Sequence, residues 1–281
     1  DARLIIKPGR PTMAASLAKL GYATGVVGQG AIFLSASSGV GTLSGPIFVQ
    51  NTTFAGGLFA SNDARLDITS PVTAAAGQMV TTRAGNVRFS NDPAVSGTPS
   101  DYDYFYNQNA VVTLGANNAL STRAIVDIGS VSTASFDLNG YNQTIGALTR
   151  VAAQTATVTN TSGALSTLTI NVAANNGGIL TGDWSYAGQL IGNLALVKSG
   201  AGTITLTSLT THTGGTTVNA GTLLLSGAGD HLADTGNLTV NGGTFDLGAL
   251  PETVGALTLT GGNVTNGTLT AAAFSFEAGV V

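Results

Sequence analysis

Cysteine is absent from all 281 residues. That excludes a disulfide framework, thiol catalysis and thiolate metal centres, so a continuous core must hold the fold. Charge is scarce too: charged residues make up 9% and the formal net charge is −4. A nucleic-acid partner requires a basic stripe, and beyond Arg150 the sole Lys or Arg is Lys198. Low charge beside 43% hydrophobic residues also excludes a disordered chain. Long apolar runs are missing. The most membrane-like stretch, Met13 to Leu34, is broken by Lys19, Gln29 and four glycines. A spanning helix needs about 20 mostly apolar residues, so this stretch reads as buried strands or a cap, with no transmembrane segment expected. Nor does the C-terminal part show the amphipathic strands and aromatic girdles of a membrane barrel. Asp1 in place of an initiator Met points to a processed chain or a segment of a longer one.

Glycine is abundant, with 39 residues, and short β-branched runs alternate between glycines and asparagines. The densest example is Lys198 to Leu225, KSGAGTITLTSLTTHTGGTTVNAGTLLL. Apolar and polar residues alternate at period two, bounded by turn residues, which reads as strand, turn, strand. Thr217-Val218-Asn219-Ala220-Gly221-Thr222-Leu223 returns as Thr239-Val240-Asn241-Gly242-Gly243-Thr244-Phe245, offset from 217 to 239. A fixed period of this size is the signature of a solenoid. A longer repeat joins Phe136 to Thr149 with Phe245 to Thr258. Equivalent positions in such repeats carry structural duties, which assigns Asp137 and Asp246 to turns.

The 198–225 stretch resembles the autotransporter-associated β-strand repeat, also called the passenger-associated transport repeat. The resemblance rests on Lys198, Gly200, Gly202, Thr203, Leu206, Thr213, Gly214, Gly215, Thr216, Val218, Gly221, Thr222 and Leu223. Where that motif carries N-T-Y, this chain has Thr210-Thr211-His212. The resemblance implies an all-β chain folded as a right-handed parallel β-helix or β-solenoid, in a secreted bacterial surface protein whose task varies across the family. It implies that any outer-membrane translocator lies outside this sequence.

Two regions are expected. Residues 1–110 read as an N-terminal arm, a β cap or irregular coils, and residues 111–281 as the repeat solenoid. In the first, Leu4-Ile5-Ile6 form either a loosely packed terminus or an arm that adds a strand to a neighbour by edge pairing. The stretch Asn91 to Asn109 breaks the rhythm with Pro93, Pro99 and the aromatic cluster Tyr102, Tyr104, Phe105 and Tyr106. Read as a loop, it presents its tyrosines to protein or sugar, or packs them against the solenoid wall. In the second region, Gly214, Gly215, Gly221, Gly242 and Gly243 supply turns, with left-handed backbone where needed. Asn219 and Asn241, with Asn263 as a third member, stack as an amide ladder. The final stretch, containing Phe276 and Val280, reads as a strand under way with no visible cap. An uncovered solenoid end presents backbone and core to a neighbour, so either the chain continues or another subunit stacks there.

The search for chemistry returns little. Asp101-x-Asp103 is too few oxygens for calcium. Asp230-His231-x-x-Asp234 lacks further ligands and reads as a surface turn. No G-x-S-x-G elbow is present, and Gly200-Ala201-Gly202 has no helix behind it to hold phosphate. Trp184 and Tyr186 offer a sugar platform or a packed bulge. The expected function is therefore structural and non-enzymatic, without metal or cofactor. It is an extracellular fibre, filament or stalk that associates with itself through solenoid ends. An adhesin passenger binding glycans or surfaces is the alternative, and a polysaccharide-degrading enzyme the remote one.

Overall fold

The computed structural model describes residues 39–45, 47–49, 64–75, 79–129, 134–150, 156–173 and 183–281, and the backbone of Arg3–Ile6, Ala18–Leu20, Ala31–Leu34 and Gly57–Ala60. Among the described residues nearly all regular structure is β-strand, paired in parallel, and the fold is a β-solenoid. A four-residue helix, Pro93–Ser96, is the one exception among them. The chain divides into two compact units, Asp1–Asp137 and Leu138–Val281.

In the first unit the strands fall into three sheets, the third of which ends at Val72–Ala74 while the other two run on. One holds Arg3–Ile6, Ala31–Leu34, Gly57–Ala60, Met79–Thr82, Tyr104–Asn107 and Ile125–Ile128. A second holds Gly39–Leu43, Ala64–Ile68, Gly85–Phe89, Ala110–Leu114 and Ser135–Asp137, and a third Ala18–Leu20, Ile47–Val49 and Val72–Ala74. The expected boundary near residue 110 falls at a strand. Ala110–Leu114 pairs with Gly85–Phe89 on one side and Ser135–Asp137 on the other, so the ladder runs on without a break. Coils here are long: Thr82 Oγ1 bonds Asn107 Oδ1 25 residues on.

The second unit repeats the plan. One sheet runs Gln143–Ile145, Ser166–Asn171, Leu194–Ser199, Thr216–Val218, Leu238–Val240, Pro251–Leu259, Thr268–Phe276. Another runs Trp184–Tyr186, Thr203–Leu206, Thr222–Leu225, Thr244–Asp246, Asn263–Thr265. Trp184 and Tyr186 therefore belong to a strand rather than a bulge, with Tyr186 buried. The sequence repeat is the coil itself, because Thr217 pairs with Thr239 and Leu223 with Phe245 in register. Alternate residues of each strand point inward. Val218, Leu223, Val240 and Phe245 are fully buried, while the intervening threonines are partly exposed. Burying one such side chain contributes roughly 1.5–3 kcal/mol.

Two corners use one device. Asn107, buried in the first unit, accepts from Thr82 Oγ1 and Ala110 N, and its Nδ2 donates to the carbonyls of Ala110 and Ser135. Asn160, buried in the second, accepts from Gly140 N and Ser162 N and donates to the carbonyls of Ala164 and Asn193. Each amide satisfies backbone groups that a turn would otherwise orphan.

Candidate functional site: carbonyl cage, tyrosine strand and last coil

Lys198 stands where the strand Leu194–Ser199 points into the core. Its column reads Ile145, Ile170, Lys198, Val218, Val240, Leu259, Phe276, each in register with the next. A lysine among aliphatic neighbours survives burial only if its ammonium is paired. The Nζ donates to the carbonyls of Ser199 at 2.7 Å, Gly200 at 2.8 Å and Ala220 at 3.0 Å. All three protons are used, and Ala220 belongs to the next coil, so the ammonium staples two turns together. Burial lowers its pKa to about 8, leaving it mostly charged at neutral pH. Gly221 completes the cage. Its φ is +63°, and a β-carbon there would collide with the carbonyls of Gly200 and Gly202 and lie 2.7 Å from Lys198 Nζ.

Of the other expected turn glycines, Gly215 also adopts positive φ, at +83°. Gly214, Gly242 and Gly243 do not; they are small because neighbouring coils approach closely, as where a Gly214 β-carbon would sit 2.7 Å from Ala195 N. The ladder forms between Asn241 Nδ2 and Asn219 Oδ1 at 2.8 Å. Its third member is Thr260, whose hydroxyl donates to Asn241 at 2.9 Å. Asn263 instead pairs with Thr244 in another sheet.

The tyrosine stretch departs from a loop. Asp92 caps the short helix by accepting Ala94 N, and Gly97 ends it at φ +69°. Tyr104–Asn107 is a strand between Met79–Thr82 and Ile125–Ile128. Tyr102 is a correction to the expected exposed cluster. It lies in the core with Phe105, ring centroids 6.2 Å apart, and Phe105 meets Phe89 edge-on at 5.6 Å. A bend at Asp103 separates Tyr102 from the strand and turns its ring inward. Tyr104 and Tyr106 stay half-buried on the opposite face from Phe105. Tyr104 Oη donates to Asp127 Oδ2 at 2.8 Å, and burial first, then that carboxylate, pushes its pKa upward. Asp101 and Asp103 are bridged by the Arg123 guanidinium, so their oxygens already serve a cation. Among the described residues no three His, Asp or Glu side chains converge on a metal position.

His231 and Glu252 do come together, and both are buried rather than on a surface turn. Asp234 is exposed and apart. Glu252, buried, accepts the backbone N–H groups of His231 and Leu232 at 2.8 and 2.6 Å. The coil offset is the signal that finds this pair, since Glu252 lies 21 residues, one coil, beyond His231. His212 is also buried, facing Thr216 Oγ1 at 3.0 Å, and burial lowers its pKa to about 4. Asp246 does hold a turn, accepting Gly248 N and Asn266 Nδ2.

The outer face of the last described coil is exposed. Phe274 and Phe276 lie in register with the buried Leu257 and Leu259, yet they are 52% and 56% exposed. Their rings stack at 5.7 Å. Val280 and Val281 are also exposed, and Phe276 and Val281 help line a recess of about 390 Å³. Sequence reading named Phe276 and Val280 but missed Phe274. At the other end Leu4, Ile5 and Ile6 form a backbone ladder with Ile32, Phe33 and Leu34; their side chains lie outside the described residues. Among the described residues no helix is long and apolar enough to cross a membrane.

With this geometry in view, comparison with known proteins is informative. Residues 196–225, which contain Lys198 and Gly221, match the passenger-associated-transport-repeat family. The chain is also similar to the adhesin BmaC autotransporter of Brucella suis biovar 1 (strain 1330). The two are 34% identical over 123 residues, covering 34% of this chain and 4% of the relative. The chain thus spans a small fraction of that relative. No solved structure matches it.

Proposed function

We propose that this chain is part of the exported passenger of a bacterial autotransporter, a non-enzymatic β-solenoid that stands outside the cell and serves adhesion. One observation carries the reading: a parallel solenoid whose Lys198 cage falls within the passenger-associated transport repeat. Similarity to an autotransporter adhesin supports it. A coil that contacts only its neighbours lengthens without a larger core, which suits a projecting stalk. The contact face in this reading is the side of the first unit bearing Tyr104 and Tyr106, whose half-buried rings suit stacking on a sugar or protein surface. The partner is a surface glycan or protein; no nucleic acid is involved.

The test is surface display of the chain in a non-adherent bacterium fused to a heterologous translocator. Protease-accessible display with a gain in adherence, reduced by the double change Tyr104→Ala and Tyr106→Ala, supports the reading. Display without any adherence removes the adhesive role. Adherence untouched by the double change removes the tyrosine face.

Self-association is the second reading, favoured by the edge strand Thr268–Phe276, where Phe274 and Phe276 stand exposed above Leu257 and Leu259. Sedimentation of the purified chain tests it. Concentration-dependent assembly that Phe276→Ser abolishes supports stacking at this edge, and a monomer at every concentration removes it.

A further inference from the structure

The sheet that holds Lys198 on its inward face has an outward face as well. There Thr169, Val197, Thr217, Thr239, Thr258 and Ser275 stand in register, one per coil. All but Val197 carry a hydroxyl, and each is partly or fully exposed. Two residues further along their strands, Asn219, Asn241 and Thr260 make a second row, the amide ladder, joined at 2.8 and 2.9 Å. Two residues before the first row stand Ala195, Ala256 and Ala273, so its other flank is low.

Three properties narrow what such a face binds. It is almost free of charge: Lys198 points inward onto carbonyls, and the sole charge in the two rows is Glu277, on the last described coil. An ion or a charged polymer finds no partner there. It also carries no aromatic ring, so the apolar face of a sugar has nothing to stack on. Finally it is rigid and periodic. Threonine is stiff at χ1, and the ladder bonds fix the amides. Equivalent groups recur about every 4.8 Å from coil to coil, and the two rows lie roughly 6.5–7 Å apart, two residues along a strand.

We propose that this face binds ice. Both of its repeats lie close to the oxygen spacings on a prism face of hexagonal ice. The partner is therefore an uncharged lattice of water with a matching period. Hydroxyl and amide groups anchor a first layer of water at that period. The threonine methyl groups between them leave the water above bonded to other water. Because the side chains are already held in place, docking costs them little conformational entropy. The inference stands apart from the adhesion reading, since it uses neither the tyrosine strand nor the exposed phenylalanines.

The test is partition of the purified intact chain into slowly growing ice, with recrystallisation of a frozen film as a second readout and albumin as control. The expected result is a chain incorporated into the ice that keeps crystals small, while albumin is excluded. Thr239→Lys puts a charge in the middle of the first row and reduces both readouts to the albumin level. Thr205→Lys, outward on the other sheet, leaves them unchanged. Urea midpoints of both variants check that the fold is kept, and Asn241→Lys, at an exposed position, repeats the test should Thr239→Lys unfold. Exclusion of the unaltered chain from ice overturns the proposal. So does equal loss in Thr205→Lys and Thr239→Lys, or exclusion from ice together with retention on insoluble cellulose or chitin, which gives the face to a polysaccharide instead.

Discussion

Within the second unit a lysine is fully buried and a phenylalanine is 56% exposed, and both stand in the same column of the same sheet. Lys198 has Ile170 on one side and Val218 on the other; Phe276 has Leu259 on one side, and among the described residues nothing pairs with the other. The difference teaches that, in a solenoid, place in the stack decides exposure, and residue type must adapt. At an internal coil the lysine is tolerated because three carbonyls receive its ammonium. At the last described coil two rings match the core in register, and no described coil covers them.

Substitutions at the two kinds of position sharpen that contrast, and the largest effects belong inside. Lys198→Met keeps bulk but leaves the carbonyls of Ser199, Gly200 and Ala220 without their donor. Each buried carbonyl left unsatisfied costs about 1–3 kcal/mol, visible as a lower urea midpoint. Phe245→Ala, at a fully buried ring, costs about 3–5 kcal/mol, whereas Phe276→Ala stays within about 1 kcal/mol because its site is already open. Equal losses at 245 and 276 would break the comparison.

Gly221→Ala comes next. A left-handed residue costs about 1 kcal/mol in a side chain bearing a β-carbon, and the collision with the cage carbonyls adds to it, so roughly 2–3 kcal/mol is expected. Unfolding curves of this variant should resemble those of Lys198→Met if both act on one cage.

His212 gives a pH effect. Burial holds it neutral, with a pKa of about 4 against an ordinary 6.5. The unfolded chain takes up its proton first, so stability is present above about 6.5 and falls as pH drops towards 4. His212→Gln should flatten that slope in urea midpoints measured across the same range. A slope that persists assigns the acid sensitivity elsewhere.

The amide ladder is the smallest effect. Asn241→Ala removes one exposed side-chain bond to Asn219 and one from Thr260, costing roughly 0.5–1.5 kcal/mol.

Much of this was legible in the chain because sequence period and coil register coincide. Thr217 and Thr239 are repeat partners in sequence and ladder partners in space. Phe136 and Phe245, matched over the longer repeat, are both fully buried in strands. The period failed where coil length changes. The step from Asn219 to Asn241 is 22 residues, but the next is 19, which brings Thr260 rather than Asn263 onto the ladder. Coils near 25 residues in the first unit follow a different spacing, so its strands read as irregular coils or a β cap. The tyrosines misled because Asn91 to Asn109 was read as one loop, whereas Tyr104–Asn107 is a strand and the bend at Asp103 sets Tyr102 apart from it. The Lys198 cage was invisible as chemistry, since its acceptors are backbone carbonyls of residues that carry no signal of their own. The contact of Glu252 with His231 was missed for the opposite reason: both are conspicuous residues, but only counting one coil between them brings them together.

The absence of cysteine permits one direct measurement of the coil register. In a parallel sheet, neighbouring strands lie about 4.8 Å apart, within reach of a disulfide, and next-but-one strands at about twice that lie beyond it. Thr217→Cys with Thr239→Cys places two thiols on paired residues of adjacent coils, and Thr217→Cys with Thr258→Cys places them two coils apart. Under mild oxidation, intramolecular crosslinking of the 217/239 pair, with the 217/258 pair left as free thiols, is the result the stacked solenoid predicts. Crosslinking of 217/258 in preference to 217/239 would contradict it.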